Sequence, residues 1–178
     1  MTAPPLYAYL LCGPSLSGKS VVAARLARSF DVRVICADDI NAERSLPFGA
    51  EGLPEVTWAE TLRQQLDRMQ IAAEAGYSVI ADDTLCYRWL RDKHRVRARS
   101  CGLEPLLLVL KPSEAELFAR HARASTSRGR PVLSLERLRT HLAAFEWPTG
   151  DESPIDVTSP EQLDAFIEAH AKRPHHAA

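Results

Sequence analysis

Apolar residues recur along this chain in two alternating rhythms. Short continuous runs at Tyr7–Cys12, Val32–Ala37, Tyr77–Ala81, Leu106–Leu110 and Ile155–Val157 predict strands. Between them the spacing lengthens to that of helices. Val56, Ala59, Leu62, Leu66, Met69 and Ala73 form one apolar stripe ending at Gly76, and Leu135, Leu138, Leu142 and Phe145 form another. Further helices are expected from about Ser20 to Phe30 and from Tyr87 to about Cys101, the latter stopped by Gly102. Ser113 reads as an N-cap ahead of acidic Glu114 and Glu116, and Ser159-Pro160-Glu161-Gln162 as a capping box. Residues 41–54, with Pro47, Gly49, Gly52 and Pro54, read as loop. Strand and helix in alternation imply an α/β fold, a five-stranded parallel sheet covered by helices on both faces.

Composition narrows the class without changing this outline. The 178 residues suit one domain, expected over 1–173 with a frayed tail at 174–178. A net charge of −1 argues against a nucleic-acid coat protein, and no apolar run approaches the roughly 20 residues of a membrane span. The first residues lack the basic start of a signal peptide. Cys12, Cys36, Cys86 and Cys101 are scattered with no C-x-x-C pair, the pattern of reduced thiols in a cytoplasmic protein. The histidines show no metal-ligand spacing.

One stretch carries chemistry outright. Gly13-Pro14-Ser15-Leu16-Ser17-Gly18-Lys19-Ser20 fits G-x-x-x-x-G-K-[ST] between a strand and a helix. Glycines in such a loop let backbone N–H groups converge on phosphate oxygens, and the helix N-terminus adds partial positive charge. Lys19 is placed for the β- and γ-phosphates, and the Ser20 hydroxyl for Mg²⁺. A P-loop NTPase sandwich binding a nucleoside triphosphate is therefore expected.

Two more groups fall at strand ends, where α/β sheets bind ligands, and a third lies between the fourth strand and a later helix. Asp38 and Asp39 follow the second strand. One of them, with Asp38 preferred, suits the general base that takes a proton from an attacking hydroxyl, while the other caps the next turn. Asp82 and Asp83 close the third strand, where a carboxylate would hold Mg²⁺ beside Ser20, and spacing alone does not choose between them. Arg120, Arg123, Arg128 and Arg130 cluster in what reads as a short lid at about 120–133, with Gly129 as hinge. Arginine forks suit a phosphoryl group in transfer.

These residues resemble the P-loop kinase clade of polynucleotide 5′-kinases, zeta-toxin-like kinases and seryl-tRNA(Sec) kinases. The likeness looks closest to the kinase domain of the last of these. It runs through Asp38-Asp39-Ile40, Val79–Arg88, Ser127-Arg128-Gly129 and Phe145–Glu152, roughly residues 7–157. It implies ATP, Mg²⁺ and a hydroxyl acceptor. Asp38 would be the base, Lys19 and Ser20 the phosphate and metal ligands, Arg128 the lid arginine and Asp83 the carboxylate near the metal. Arg120 would join the nucleotide contacts, and Asn41, Asp83 and Arg130 would face the acceptor. The clade often has arginine where this chain has Asn41, which weakens an acceptor presenting a phosphate there. The tRNA-binding region that follows in seryl-tRNA(Sec) kinase has no counterpart before Ala178.

Charge distribution bears on the acceptor. Residues 38–67 hold seven acidic side chains against Arg44 and Arg63, an expected negative mouth that would repel a nucleic-acid backbone. Residues 88–99 hold six basic side chains against Asp92, with Arg88, Arg91, Arg95 and Arg99 on one helical face. That face reads either as a solvated surface or as a polynucleotide docking stripe. Taken together, the expectation is a kinase, monomer or homodimer, that phosphorylates a small-molecule hydroxyl. A polynucleotide or tRNA kinase ranks second, and a nucleotide-dependent regulatory ATPase stands as the alternative of another class.

Overall fold

The computed structural model describes residues 5–47, 53–126 and 132–171. Five strands, β1 (Leu6–Cys12), β2 (Val32–Cys36), β3 (Ser78–Asp82), β4 (Leu103–Val109) and β5 (Ile155–Asp156), form one sheet in the order β2-β3-β1-β4-β5. Every pairing is parallel. Around it lie α1 (Lys19–Ser29), α2 (Ala37–Glu43), α3 (Glu55–Glu74), α4 (Arg88–Ser100), α5 (Glu114–Thr126), α6 (Leu135–Ala143) and α7 (Pro160–Ala171).

Because β1 lies mid-sheet, its side chains serve two layers in turn. Ala8, Leu10 and Cys12 pack with Met69, Ala72 and Ala73 of α3 and Ala98 of α4. Tyr7, Tyr9 and Leu11 pack on the other side with Val22, Ala23 and Leu26 of α1 and with Leu163 and Phe166 of α7. Leu107 and Leu108 divide between the same two clusters, as expected of a strand buried on both faces. The predicted caps form: Ser113 Oγ accepts from the Glu116 N–H, and Ser159 and Gln162 bond reciprocally.

Two boundaries differ from expectation. Residues 41–43 are helical, because α2 starts at Ala37 directly on the end of β2. Asp38 and Asp39 occupy its first turn, where carboxylates are favoured by the helix dipole. The chain turns only at Ser45, whose φ is 57°. Strand β4 begins at Leu103 rather than Leu106 and takes in Pro105, opposite Ala8. β5 reaches only Leu108 and Val109, so the proline's missing N–H costs no ladder bond on that side. No described helix is long and apolar enough to cross a membrane. Phe48, the segment from Ser127 through Arg128 and Arg130 to Pro131, and the expected tail lie outside the described residues.

Candidate functional site

The loop between β1 and α1 sits at the carboxyl end of the sheet's central strand. Its entry is fixed by Gly13, whose N–H donates to the Thr84 carbonyl at 3.0 Å. A Cβ on Gly13 would stand 2.7 Å from both Leu110 O and Ser17 Oγ, so only glycine fits. Gly13→Ala should therefore cost about 1–3 kcal/mol by overpacking, read as a lowered melting temperature. Gly18 caps α1 at φ 105°. Lys19 Nζ donates to the carbonyls of Gly13 and Pro14 at 2.9 and 2.8 Å, which holds the ammonium inside the loop's curve. Burial pushes that ammonium below its ordinary value, while Asp82, Asp83 and Asp38 push it back up. Ser17 Oγ is buried in the loop with no hydrogen-bond partner.

The three carboxylates that act on Lys19 come from α2, the end of β3 and the residue after it. Asp38 projects from the first turn of α2. Asp82 ends β3 and accepts from Ser20 Oγ at 3.2 Å. Burial raises its carboxyl above the ordinary range, Lys19 and Ser20 oppose this, and Asp83 and Asp38 reinforce it. Asp83 Oδ1 accepts from the Thr84 N–H at 2.6 Å. Of the pair at this strand end, Asp82 is thus the one joined to Ser20. Asn41 is buried and its Oδ1 accepts from Thr61 Oγ1 at 2.6 Å. Arg120 lies on α5 and donates to the loop carbonyls of Leu16 and Ser17, both at 2.9 Å.

A family model described as an AAA domain, AAA_33, matches residues 9–148. The chain belongs to the AAA_33 family. Among solved structures, this AAA_33 chain is similar to a sugar kinase from Janibacter sp. HTCC2649 at 24% identity and TM-score 0.68, over 95% of this chain and 94% of that one. It is similar to a gluconokinase from Sinorhizobium meliloti 1021 at 21% identity and TM-score 0.68, over 96% of both chains. At these identities the likeness is one of fold. A shorter sequence match, 44% identical over 50 residues, is to tRNA dimethylallyltransferase 1 of Pelobacter propionicus and spans 28% of this chain and 16% of that protein.

The charged surfaces of this AAA_33 domain are partly neutralised by pairing. The basic face of α4 is divided: Arg88 and Arg99 are exposed, while Arg91 and Arg95 are buried. Arg91 is 1% exposed and forks onto Glu152 with Nε and Nη2 at 2.7 and 2.9 Å. Its Nη1 donates to the carbonyls of Leu85 and Glu146. Arg95 also bonds Glu152 and pairs with Asp92, while Arg88 pairs with Asp151. Part of the acidic segment is compensated too: Glu43 pairs with Arg68, and Glu60 and Asp67 share Arg63.

One site neighbour escaped the sequence reading. His141 of α6 is held below its ordinary pKa by burial, with Lys19 adding to that shift and Asp83 opposing it. Its Nε2 is buried without a partner, and its ring meets Phe145 edge-on at 5.5 Å. Only the fold brings it beside the loop, because the Glu146 N–H donates to the Cys86 carbonyl and ties the end of α6 to the β3 loop. No local motif marks such a histidine.

Proposed function

We propose that this protein is an ATP-dependent kinase that transfers the γ-phosphoryl group to a hydroxyl of a small molecule. The reading is carried by one juxtaposition: Lys19 and Ser20 at the phosphate loop, with Asp38 and Asp82 in electrostatic or hydrogen-bond contact with them. In the transfer, Asp38 takes the proton of the acceptor hydroxyl. The new O–P bond forms in line as the bond to the β-phosphate oxygen breaks, and ADP leaves. Lys19 and the N–H groups at the start of α1 stabilise the charge on the phosphates, as Arg128 would, while Arg130 would face the acceptor.

The residues present fit both nucleotide and metal. The buried Ser17 hydroxyl without a partner and a loop closed to any Cβ at Gly13 suit a close-fitting polyphosphate. Ser20 and Asp82 would hold Mg²⁺, which when bound neutralises phosphate oxygens. Among the described residues no group of three His, Cys, Asp or Glu could hold a metal alone. That suits an ion which takes most of its ligands from phosphate and water.

A small acceptor is preferred because three of the six basic side chains of α4, Arg88, Arg91 and Arg95, are engaged by carboxylates. The sugar kinase and gluconokinase of like fold make sugars and sugar acids the first acceptors to try. Incubation with γ-labelled ATP and a panel of aldoses, gluconate, nucleosides and RNA tests the reading. Label on a small hydroxyl compound is expected. Labelling confined to RNA and weakening steeply with salt would replace the acceptor class, and the short match to a tRNA-modifying enzyme is the reason RNA belongs in the panel.

A further inference from the structure

One side chain that bonds the phosphate loop comes from neither the loop nor its helix. Arg120, 104 residues away from Leu16, donates from Nη1 to two successive loop carbonyls, Leu16 O and Ser17 O, both at 2.9 Å. Its Nη2 pairs with Glu116 one turn back on α5, which fixes the direction of the fork. The guanidinium also lies against Gly18, 3.7 Å from where a Cβ would stand.

These contacts fall where the loop's backbone is least comfortable. Leu16 has φ 67°, a left-handed conformation that is unfavourable for a residue with a β-carbon. Gly18 follows at φ 105°. In a planar trans peptide the carbonyl and the next N–H point in opposite directions. Holding the Ser17 carbonyl on the Arg120 side therefore turns the Gly18 N–H to the opposite side. The N–H groups of Lys19 and Ser20, first and second residues of α1, have no carbonyl within the helix to bond. Fixing Gly18 sets the start of this donor row before any anion arrives.

Resting on the nucleotide-binding reading above, we propose that Arg120 is a positioning residue that holds the phosphate loop in its binding shape through the Leu16 and Ser17 carbonyls, rather than a group that touches the nucleotide. Its charge is secondary and its geometry primary, because one nitrogen must serve two carbonyls while the other is anchored to Glu116. A lysine ammonium lacks the planar fork that anchors and bridges at once.

The test compares wild type, Arg120→Ala and Arg120→Lys. Amide hydrogen exchange in nucleotide-free protein reads the loop directly, at Ser17, whose N–H donates to Pro14 O, and at Val21 and Val22, whose N–H groups donate to Gly18 O. Calorimetry reads the affinity of AMPPNP with Mg²⁺ and of tripolyphosphate, which has no nucleoside. In Arg120→Ala the three amides should exchange at least tenfold faster while β3 amides stay unchanged. Both ligands should weaken by the same factor, about tenfold or more, and Arg120→Lys should fall between wild type and alanine. Unchanged loop exchange overturns the proposal whatever happens to binding. Faster exchange with unaltered affinity overturns it too, as does a loss confined to AMPPNP, which would place Arg120 on the nucleoside. Full affinity in Arg120→Lys would reduce the role to charge and equally overturn it. If wild type binds neither ligand, the nucleotide reading fails instead, and the exchange data still decide whether Arg120 shapes the loop.

Discussion

Glu152→Gln should remove about 3–5 kcal/mol of stability, the range for leaving a buried guanidinium without its counter-charge. A domain of this size holds only about 5–15 kcal/mol in all, so the variant should stand near the edge of folding at 37 °C. Arg91 and Glu152 side chains are each 1% exposed, and Arg95 leans on the same carboxylate. Glutamine keeps the shape and one acceptor but not the charge. Burial pushes the Glu152 carboxyl up, yet the Arg91 and Arg95 guanidinium groups hold it at about 2 against an ordinary 4.5. A carboxyl lowered on folding stabilises fully above its unfolded value and loses that contribution as pH falls through its folded one. The wild type should lose stability between about pH 4.5 and 2, and Glu152→Gln should show a flatter profile in that window. Urea denaturation across this range measures both. The double variant Arg91→Met/Glu152→Leu should be less destabilised than Glu152→Gln, because no unpaired charge remains buried. A loss below about 1 kcal/mol in Glu152→Gln would mean water reaches the pair, since exposed ion pairs contribute that little.

This ion pair also shows where a linear sequence stops being readable. Spacing of three and four along residues 88–99 correctly places Arg88, Arg91 and Arg95 together on one side of a helix. It says nothing of Glu152, which lies 61 positions from Arg91. The hint was a local one of a different kind. Thr149-Gly150-Asp151-Glu152 has capping-box spacing, and the Glu152 carboxylate does accept from the Thr149 N–H at 3.3 Å. The acidic count over 38–67 likewise misses a distant partner: Glu43 finds Arg68 across 25 residues, just beyond the end of the counted segment.

What was legible is what local chemistry dictates. The phosphate loop is contiguous, and a strand before it and helix after it follow from the apolar rhythm. Asp38 and Asp82 were legible as strand-end carboxylates because all parallel strands deliver their carboxyl ends to one edge of the sheet. Which of Asp82 and Asp83 adjoins Ser20 depends on strand phase at a single residue, and the last pairing, Leu11 with Asp82, puts the final strand residue beside β1. The start of α2 was hidden because Asp-Asp-x-Asn reads equally well as a turn. Arg120 was visible as a basic residue near the lid, but its grip on two carbonyls more than a hundred residues earlier was not.

Asp38→Asn should lower phosphoryl transfer by about 10²–10⁴-fold, the usual contribution of a positioned general base, while leaving AMPPNP affinity within about threefold. The asparagine is nearly isosteric and remains tolerated in the first turn of α2, so the fold and the loop should be undisturbed. What it lacks is an acceptor for the hydroxyl proton, so the transfer step would have to expel that proton to water. Asp39 supplies the internal control: it is exposed and one residue along, and Asp39→Asn should change turnover less than about threefold, as exposed substitutions away from the reacting atoms do. Initial rates of label transfer to the best acceptor of the panel, with AMPPNP binding measured on the same preparations, separate chemistry from binding. If Asp38→Asn keeps transfer within about tenfold, a loss smaller than base catalysis supplies, Asp38 is not the base. If ATP is hydrolysed without any acceptor, Asp38→Asn leaves that turnover intact, and turnover rises only with a protein partner, the kinase reading gives way to a nucleotide-dependent switch. The kinase reading requires instead that Asp38 and the acceptor hydroxyl act together, so removing either one should leave ATP bound and unspent.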